Sequence, residues 1–262
     1  MGSAAMHIAR TGLDAQNTRM RVISNNLANV NTTGFKKDRA SFETLAYQLV
    51  TAPGAASTSE TQYATGLNLG TGVKVQGTAR IDTQGSLQTT GNSLDMALDG
   101  DGYFQVQLPG GQLGYTRAGN FTRSSQGQLV TSEGYQVMPG ITVPEGATSI
   151  TIGTDGTVSA TIAGQTEPSQ LGQIQIATFP NAGGLQAGGD NYLMETSASG
   201  VANLGIAGED GRGQIRQGML EGSNVNVVEE LVDMIETQRA YEVNSKMISA
   251  TDEMLKYVNQ QL

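Results

Sequence analysis

The residue types that most often carry enzyme chemistry are scarce in this sequence. Its 262 residues include no cysteine and a single histidine, His7. Without cysteine there are no disulfides, thiolate metal sites or cysteine nucleophiles. One histidine excludes multi-histidine metal sites and disfavours a serine–histidine triad. Because His7 falls in a segment with helical periodicity and has no evident partner, we interpret it as a helix-surface residue.

Three aspartates close together between glycines, Asp95, Asp99 and Asp101, are the best candidate for a metal site. Carboxylates in such loops bind calcium, but this spacing differs from that of an EF-hand and no glutamate follows at the required position. The glycine-rich stretches 66–72 and 208–213 lack the Gly-Lys-Ser/Thr of a phosphate-binding loop. We expect these segments to form turns. The sequence therefore predicts no catalytic residue, no cofactor and no metal.

Composition excludes further classes of function. The formal net charge is −9, and no run of apolar residues is longer than three. The acidic balance and the lack of a basic, aromatic stripe disfavour nucleic-acid binding. The short apolar runs predict neither membrane insertion nor a signal peptide of the usual apolar type. A secreted carbohydrate hydrolase on a β scaffold is a remote alternative, because no carboxylate pair stands out and tryptophan is absent.

Amide side chains near both ends of the chain are more distinctive. A buried amide both donates and accepts hydrogen bonds, so it fixes the register of packed helices. Helix capping or simple exposure is the alternative interpretation. We predict that the following amides help to specify contacts between helices: Asn25, Asn26, Asn29, Asn224, Asn226, Gln238 and Asn244.

Two amphipathic helices, one at each end, must position these amides. In residues 3–30 the seam positions recur at alternating spacings of three and four over about four heptads. Residues 225–258 repeat a spacing of seven, and Asn224 or Asn226 is the candidate cap. The further positions that we expect at subunit interfaces are Leu13, Met20, Ile23, Leu27, Val30, Leu231, Met234, Ile235, Arg239, Tyr241, Ile248 and Leu255.

The two ends carry opposite charge. Residues 1–39 have a net charge of +4 and residues 225–262 a net charge of −4. Opposite signs favour pairing of the two helices, within a chain or between chains, over pairing of like helices. Two solvated faces with incidental charge are the alternative. Because isolated helices of this length are marginal in water, we expect the ends to stay largely disordered until neighbouring copies supply partners.

The middle of the chain alternates short β-rich runs with turn residues. We predict strands at 103–108 and 172–179, and a hairpin in which 149–153 and 157–162 flank the turn at 154–156. Residues 29–34 end the first helix, with Gly34 as a left-handed position. Residues 47–66 are rich in Ala, Ser and Thr and too poor in apolar residues for a core element, which predicts a loop that a neighbour could order.

These patterns predict an α+β fold in which long N- and C-terminal helices form a coiled-coil domain around a mainly β middle. We assign residues 1–39 and 218–262 to the helical domain. An extended β and linker region spans 40–80 and 185–217, and an irregular, β-rich outer domain spans 81–184.

Several stretches resemble bacterial flagellar rod and hook proteins. Residues 24–36, S-N-N-L-A-N-V-N-T-T-G-F-K with Gly34 and Phe35 near the end, are similar to the N-terminal signature of that family. Residues 218–226 and 234–244 resemble its C-terminal signature, and 102–131 contain similar middle motifs. The resemblance covers essentially the whole chain. Within the family it is greatest to distal-rod members, whose characteristic insertion resembles residues 47–66, including Tyr47, Pro53, Gly54 and Gly66.

The resemblance implies a structural subunit and not an enzyme. Such subunits polymerise into a hollow helical drive shaft that carries torque from motor to hook and encloses the export channel, with helices inside and β domains outside. The implied partners are copies of itself, proximal rod proteins, the hook protein, the P-ring and L-ring proteins and the flagellar type III export apparatus. The implied location is the periplasmic basal body, spanning toward the outer membrane, reached without a cleavable signal peptide. A proximal rod or hook protein is the alternative.

Overall fold

The chain divides into two units in a computed structural model that describes residues 2–55, 62–162 and 167–261. The first unit combines Met1–Leu27, Asp38–Ala79 and Asn226–Leu262, and the second combines Ala28–Lys37 and Arg80–Val225. Terminal helices and a mostly β middle confirm the predicted α+β class. The three-part division predicted from sequence stays a prediction.

The first unit holds both long helices and four strands. Helix α1 spans Gly2–Ala28 and α2 spans Val227–Gln261. Strand β1 is Asp38–Thr44, β2 is Gln48–Thr51, β3 is Leu67–Leu69 and β4 is Val73–Arg80. Strand β1 pairs with β4, and β2 pairs with β3. Among the described residues, none of the helices is apolar enough over a sufficient length to span a membrane.

Local signals set where the two helices stop and start. After α1 the Thr32 N–H donates to the Asn29 carbonyl at 3.1 Å, and Gly34 has φ +68°. A Cβ at Gly34 would lie 2.5 Å from the Arg117 carbonyl carbon, so only glycine fits this left-handed position. At the start of α2 the Asn226 Oδ1 accepts from the Val228 N–H at 3.0 Å, which identifies Asn226 as the N-cap.

Residues 47–66 do not form the simple loop that their composition predicts. Strands β2 and β3 pair antiparallel with Leu49 opposite Asn68. Beyond them the Gly54 N–H donates to the Tyr63 carbonyl, and the Tyr63 N–H to the Ala55 carbonyl, both at 2.9 Å. Backbone bonding across a hairpin needs no buried core, although two strands alone are marginally stable in water. The tip of the segment, residues 56–61, lies outside the described residues.

The second unit is built of short strands around nine-stranded and three-stranded sheets. The larger sheet has the order β16-β17-β8-β7-β11-β10-β9, with β15 pairing both β7 and β18, and the smaller has the order β12-β13-β14. Two further pairs join β6 to β19 and β5 to β20. The strands are β5 Leu87–Thr89, β6 Met96–Asp99, β7 Tyr103–Gln107, β8 Leu113–Thr116, β9 Thr122–Arg123, β10 Leu129–Val130, β11 Gln136–Val137, β12 Ala147–Ile152, β13 Thr157–Ile162, β14 Ser169–Gln173, β15 Gln175–Thr178, β16 Gln186–Gly189, β17 Tyr192–Met194, β18 Asn203–Ile206, β19 Gln214–Gln217 and β20 Met219–Glu221.

Two of the predicted β elements are confirmed and one is wrong. Strand β7 and the β12–β13 hairpin form as predicted. The strand predicted at 172–179 is instead two strands, β14 and β15, which belong to different sheets. The break falls at Ile174, whose side chain is fully buried and whose N–H donates to the Gly156 carbonyl at 2.8 Å. That tertiary hydrogen bond replaces a ladder bond and lets the chain pass from one sheet to the other.

The second unit has a continuous apolar core. Phe104 and Phe121 meet edge to face with ring centroids 5.2 Å apart. Ile174, Ile176 and Ile215 are fully buried in the same cluster. Close packing of this kind stabilises the folded state of the second unit, which we call the β unit.

Candidate functional site: a helical assembly surface

Among the described residues of the first unit, helices α1 and α2 approach each other along much of their length. The Asn26 Nδ2 donates to the Glu230 Oε2 at 3.2 Å, and Arg19 pairs with Asp233 at 3.1 Å. Further along, a Cβ at Gly12 would lie 3.0 Å from the Asn244 Nδ2. Positions in α1 fall as positions in α2 rise, so the helices run antiparallel where they meet. These contacts are polar, and they do not by themselves make a coiled coil.

Asn26 is the most deeply buried of the predicted amides, with 2% of its surface exposed. Besides Glu230 it binds strand β1, because its Nδ2 donates to the Asp38 carbonyl at 2.9 Å and its Oδ1 accepts from the Asp38 N–H at 3.0 Å. One side chain therefore ties α1 to β1 and to α2. A one-residue slip of either element would leave buried polar groups without partners.

The face of α2 turned toward its own chain is polar. Glu230, Thr237 and Asn244 recur every seven residues, and the first two are buried. Thr237 also donates to the Asp233 carbonyl at 2.6 Å, four residues earlier. Met234, Ile248 and Leu255 flank this face and are half-buried. Contacts within the chain thus cover mainly polar positions of α2.

The opposite face of α2 is open and carries exposed apolar side chains among charged ones such as Glu236, Arg239 and Lys246. Val228, Val232, Ile235, Val243, Met247 and Met254, which we name the outer stripe, are each at least 50% exposed. Their spacings of four, three, eight, four and seven residues place them along one side of a helix. A turn of 100° per residue puts that side roughly opposite Thr237.

The hairpin of strands β2 and β3 is a second apolar surface in the first unit. Its exposed large side chains are Tyr47, Leu49, Val50, Tyr63, Leu67 and Leu69. In the second unit the only exposed large apolar side chains among the described residues are Leu113, Val201 and Leu204. Apolar surface concentrated in one part of a protein marks an interaction site.

The structure brings only part of the predicted interface set together. Ile23 is buried, whereas Leu13, Met20, Leu27 and Val30 are half-buried. On α2 the exposed members are Leu231, Ile235, Gln238, Arg239 and Tyr241.

Asn25 takes part in a separate feature of the first unit. It is exposed and lines a hollow of about 430 Å³ together with Thr18, Arg21, Val22, Asp38 and Thr78. The wall of the hollow combines α1 with β1 and β4. Asn29, Gly34, Phe35 and Asn224 instead belong to the second unit.

Within the second unit the two signature segments meet each other. The Gly34 N–H donates to the Glu221 carbonyl at 2.8 Å, and the Asn224 N–H to the Phe35 carbonyl at 3.3 Å. The Asn224 Oδ1 accepts from the Lys37 N–H at 2.7 Å, and its Nδ2 donates to the Ile81 carbonyl at 2.8 Å. Asn224 is thus a clamp between chain segments and not a helix cap.

A buried charge cluster, which sequence reasoning missed, lies beside this clamp. Glu221 is fully buried and accepts from Lys36 Nζ at 2.5 Å, from Arg117 at 3.3 Å and from the Gly85 N–H at 3.0 Å. Burial lowers the pKa of Lys36, and the hydrogen bond and charge of Glu221 oppose that shift. The three charged residues lie in three separate motifs, and no pattern within any one of them pairs Glu221 with Lys36 or Arg117.

The candidate metal site is not supported. Asp95 accepts from Thr90 at 2.6 Å and from Asn92 at 2.9 Å, which is a turn arrangement. Asp99 pairs with Arg216 at 3.1 Å. In the part of the chain that the structure describes, no group of three or more His, Asp or Glu residues is placed to hold a metal ion.

Comparisons with known proteins match three segments to family models. The flagella basal body rod protein family matches residues 6–36, the D1 domain of flagellar hook proteins FlgE/F/G matches 97–160, and the C-terminal region of basal body rod proteins FlgEFG matches 216–261. The first and third matches contain most of α1 and α2. The second contains β7 and the β12–β13 hairpin.

Full-length relatives agree with these matches. The chain is 50% identical over 256 residues to the flagellar basal-body rod protein FlgG of Buchnera aphidicola subsp. Acyrthosiphon pisum, covering 98% of each chain. It is 48% identical over 257 residues to FlgG of Caulobacter vibrioides, again covering 98% of each. The chain therefore belongs to the flagellar rod and hook family. Within that family it is more similar to FlgG than to FlgF of C. vibrioides, with which it shares 35% identity over 250 residues, 93% of this chain and 92% of FlgF.

Proposed function

We propose that this member of the flagellar rod family is a structural subunit of the distal rod. Its copies polymerise into a hollow helical drive shaft that transmits torque from motor to hook and encloses the export channel. The outer stripe of α2 is the observation that carries this proposal, because a polar face of the helix is used within the chain and six exposed apolar side chains are left for neighbours. Fully burying one Val, Ile or Met side chain stabilises by about 1.5–3 kcal/mol, so six such side chains are a strong drive to associate.

In the polymer, a helix of a second copy packs against the outer stripe. Residues 1–39 have a net charge of +4 and residues 225–262 a net charge of −4, although α2 exposes Arg239 and Lys246 near the stripe as well as Glu236. This complementarity favours α1 of one copy against α2 of the next and disfavours α2 against α2. Contacts between two different surfaces do not close on themselves and therefore give an open helical filament. In the filament the helices form the coiled-coil inner tube.

Truncation of α2 tests this proposal. Deleting residues 240–262 removes half of the outer stripe and is expected to abolish polymerisation while leaving the second unit folded. Electron microscopy measures the polymer, and far-ultraviolet circular dichroism measures the β unit. Ile235→Asp is the sharper variant, since it would bury an unpaired charge in the polymer, and Ile235→Leu is its matched control. Normal filaments from Ile235→Asp would contradict the assignment of the stripe.

The segment of residues 47–66, which contains strand β2 and the exposed Tyr47, Leu49 and Tyr63, acts as a stiffener between neighbouring copies. Its apolar side chains are exposed in one chain, and copies packed around an axis would cover them. Deleting residues 47–66 is expected to leave polymers that curve or bend more easily. Filament curvature and bending stiffness, measured from electron micrographs, check this expectation, and unchanged values would contradict it.

The remaining partners follow from the axial position. The chain is exported by the flagellar type III apparatus, and it assembles in the periplasm between proximal rod proteins and the hook protein. The P-ring and L-ring proteins surround it as a bushing, and it has no catalytic activity. A net charge of −9 supports free rotation in a sleeve of like charge, which predicts ring binding that changes with ionic strength. Locating the chain in purified basal bodies by electron microscopy separates this position from a proximal rod or hook position.

A further inference from the structure

Methionine is the only sulfur-containing residue in the chain, which has ten methionines and no cysteine. Their exposures differ widely. Met96 lies in the β core with none of its surface exposed, whereas Met247 and Met254 are 52% and 65% exposed. These two are seven residues apart, which places them on one side of α2, and both belong to the outer stripe.

Oxidation by a hydroperoxide converts the apolar thioether of methionine into a polar sulfoxide. A sulfur lone pair attacks one oxygen of a hydroperoxide, the O–O bond breaks, and the products are methionine sulfoxide and water or an alcohol. Sulfur loses two electrons and the peroxide gains them. The sulfoxide is polar and accepts strong hydrogen bonds, so it disrupts apolar interfaces, and methionine sulfoxide reductases reverse it.

We propose that Met247 and Met254 form a peroxide-sensitive modification site that controls whether α2 can dock on a second copy. This inference rests on the proposed function of the outer stripe. In a single chain both sulfurs are open to oxidant, and two sulfoxides would place polar groups on a surface that must become buried. In a polymer the same side chains are covered, so oxidation stops the addition of new subunits and spares those already in place.

Peroxide treatment of the full-length chain tests the proposal. Dilute hydrogen peroxide is added to the unassembled protein, and sulfoxide at each methionine is measured by peptide mass spectrometry. We expect Met247 and Met254 to oxidise about tenfold faster than Met96, as exposure dictates. Polymerisation, followed by light scattering and electron microscopy, is expected to fall in proportion to these two sulfoxides and to recover after reduction by a methionine sulfoxide reductase.

Variants assign the effect to these two residues. The double variant Met247→Leu/Met254→Leu keeps an apolar stripe and is expected to polymerise with or without peroxide. Met219→Leu, which changes a half-buried methionine of the β unit, is the matched control. We expect this variant to lose polymerisation after peroxide treatment, as the unchanged chain does. If the double leucine variant loses polymerisation under peroxide as the unchanged chain does, the proposal is overturned.

A polar substitution separates this proposal from the proposed function. Met247→Gln/Met254→Gln mimics the polarity of the sulfoxide and is expected to block polymerisation without any oxidant. If this variant is blocked but the fully oxidised chain still polymerises, the redox site is overturned and the outer stripe stands as an interface. If both this variant and Ile235→Asp polymerise normally, the interface itself is overturned.

Discussion

The two units of the chain differ in how much of their apolar side-chain surface they bury. Apart from Asn26, every one of the largest fully buried side chains belongs to the β unit. The first unit, which contains both long helices and which we call the helical unit, instead exposes its outer stripe and the apolar residues of the β2–β3 hairpin. The β unit thus buries most of its large apolar side chains, whereas the helical unit leaves many of its own exposed. A folded core in one unit and exposed apolar side chains in the other fit a subunit that keeps its own fold and joins a polymer.

The units differ in their use of charge as well. In the β unit Glu221 is fully buried and paired with Lys36 and Arg117, whose side chains are almost fully buried. In the helical unit the Arg19–Asp233 pair has side chains 37% and 47% exposed. Exposed pairs contribute about 0–1 kcal/mol, whereas removing one partner of a buried pair costs several times more. The buried ion pairs therefore stabilise the β unit strongly, whereas the exposed pair between α1 and α2 contributes little to the helical unit.

The largest expected effect comes from breaking the buried cluster of the β unit. Glu221→Ala leaves Lys36 and Arg117 buried without a counter-ion and is expected to lower the free energy of unfolding by about 3–5 kcal/mol. Urea unfolding followed by circular dichroism measures the change. Asp99→Ala, which removes an exposed partner of Arg216, is the control and is expected to cost no more than about 1 kcal/mol. Equal losses from the two variants would contradict the contrast between buried and exposed pairs.

A smaller effect is expected from Asn26, a buried side chain of the helical unit. Asn26→Ala removes the hydrogen bonds to Glu230 and to both backbone groups of Asp38, and a cost of about 1–3 kcal/mol follows from the groups left unpaired. Hydrogen exchange of the β1 amides measures the local loss. Asn17→Ala, at an exposed position of α1, is the matched control, and its effect is expected within about 0.5 kcal/mol. Unchanged β1 exchange in Asn26→Ala would show that the amide does not hold α1 on the strand.

The smallest expected effect is a pH dependence in the β unit. The Tyr192 hydroxyl donates to Glu133 at 2.6 Å, and this hydrogen bond lowers the pKa of Glu133 below its ordinary 4.5. A lowered carboxyl pKa stabilises the fold fully above pH 4.5, and the contribution is lost as the pH falls through the folded-state value. Glu133→Gln is therefore expected to be less stable at neutral pH, by less than about 1 kcal/mol, with the difference narrowing below pH 4.5.

Thermal unfolding at several pH values measures this difference. Tyr192→Phe keeps the ring and removes the donor, so its pH profile should follow that of Glu133→Gln. A constant difference between the unchanged chain and Glu133→Gln at all pH values would contradict the role of the hydrogen bond.

Features written into short stretches of sequence could be predicted, and features that depend on distant residues could not. Helical spacing predicted α1 and α2, and the turn residues at 154–156 predicted the β12–β13 hairpin. The break at Ile174 depends on a hydrogen bond to Gly156 in the turn between β12 and β13, which no local pattern reveals. The cluster of Lys36, Arg117 and Glu221 joins residues up to 185 positions apart.

The helical surface shows the same limit. Counting heptads of apolar residues predicts one seam on α2, but the helix has a partly buried polar face and an exposed face with apolar side chains. The face used within the chain is marked by Glu230, Thr237 and Asn244, and polar residues carry no signal of burial in a hydropathy pattern. The outer stripe lies on the other side. Only the position of α1 and β1 in the fold separates the two faces.

Hydrogen exchange of α2 before and after assembly tests the central claim most directly. Amides of the helix are compared in the single chain and in the polymer, with the β unit of the same sample as internal reference. We predict that α2 exchanges quickly in the single chain and becomes strongly protected in the polymer, while the core strands of the β unit are equally protected in both. Equal protection of α2 in the two states would contradict the claim that its outer stripe is completed by other copies.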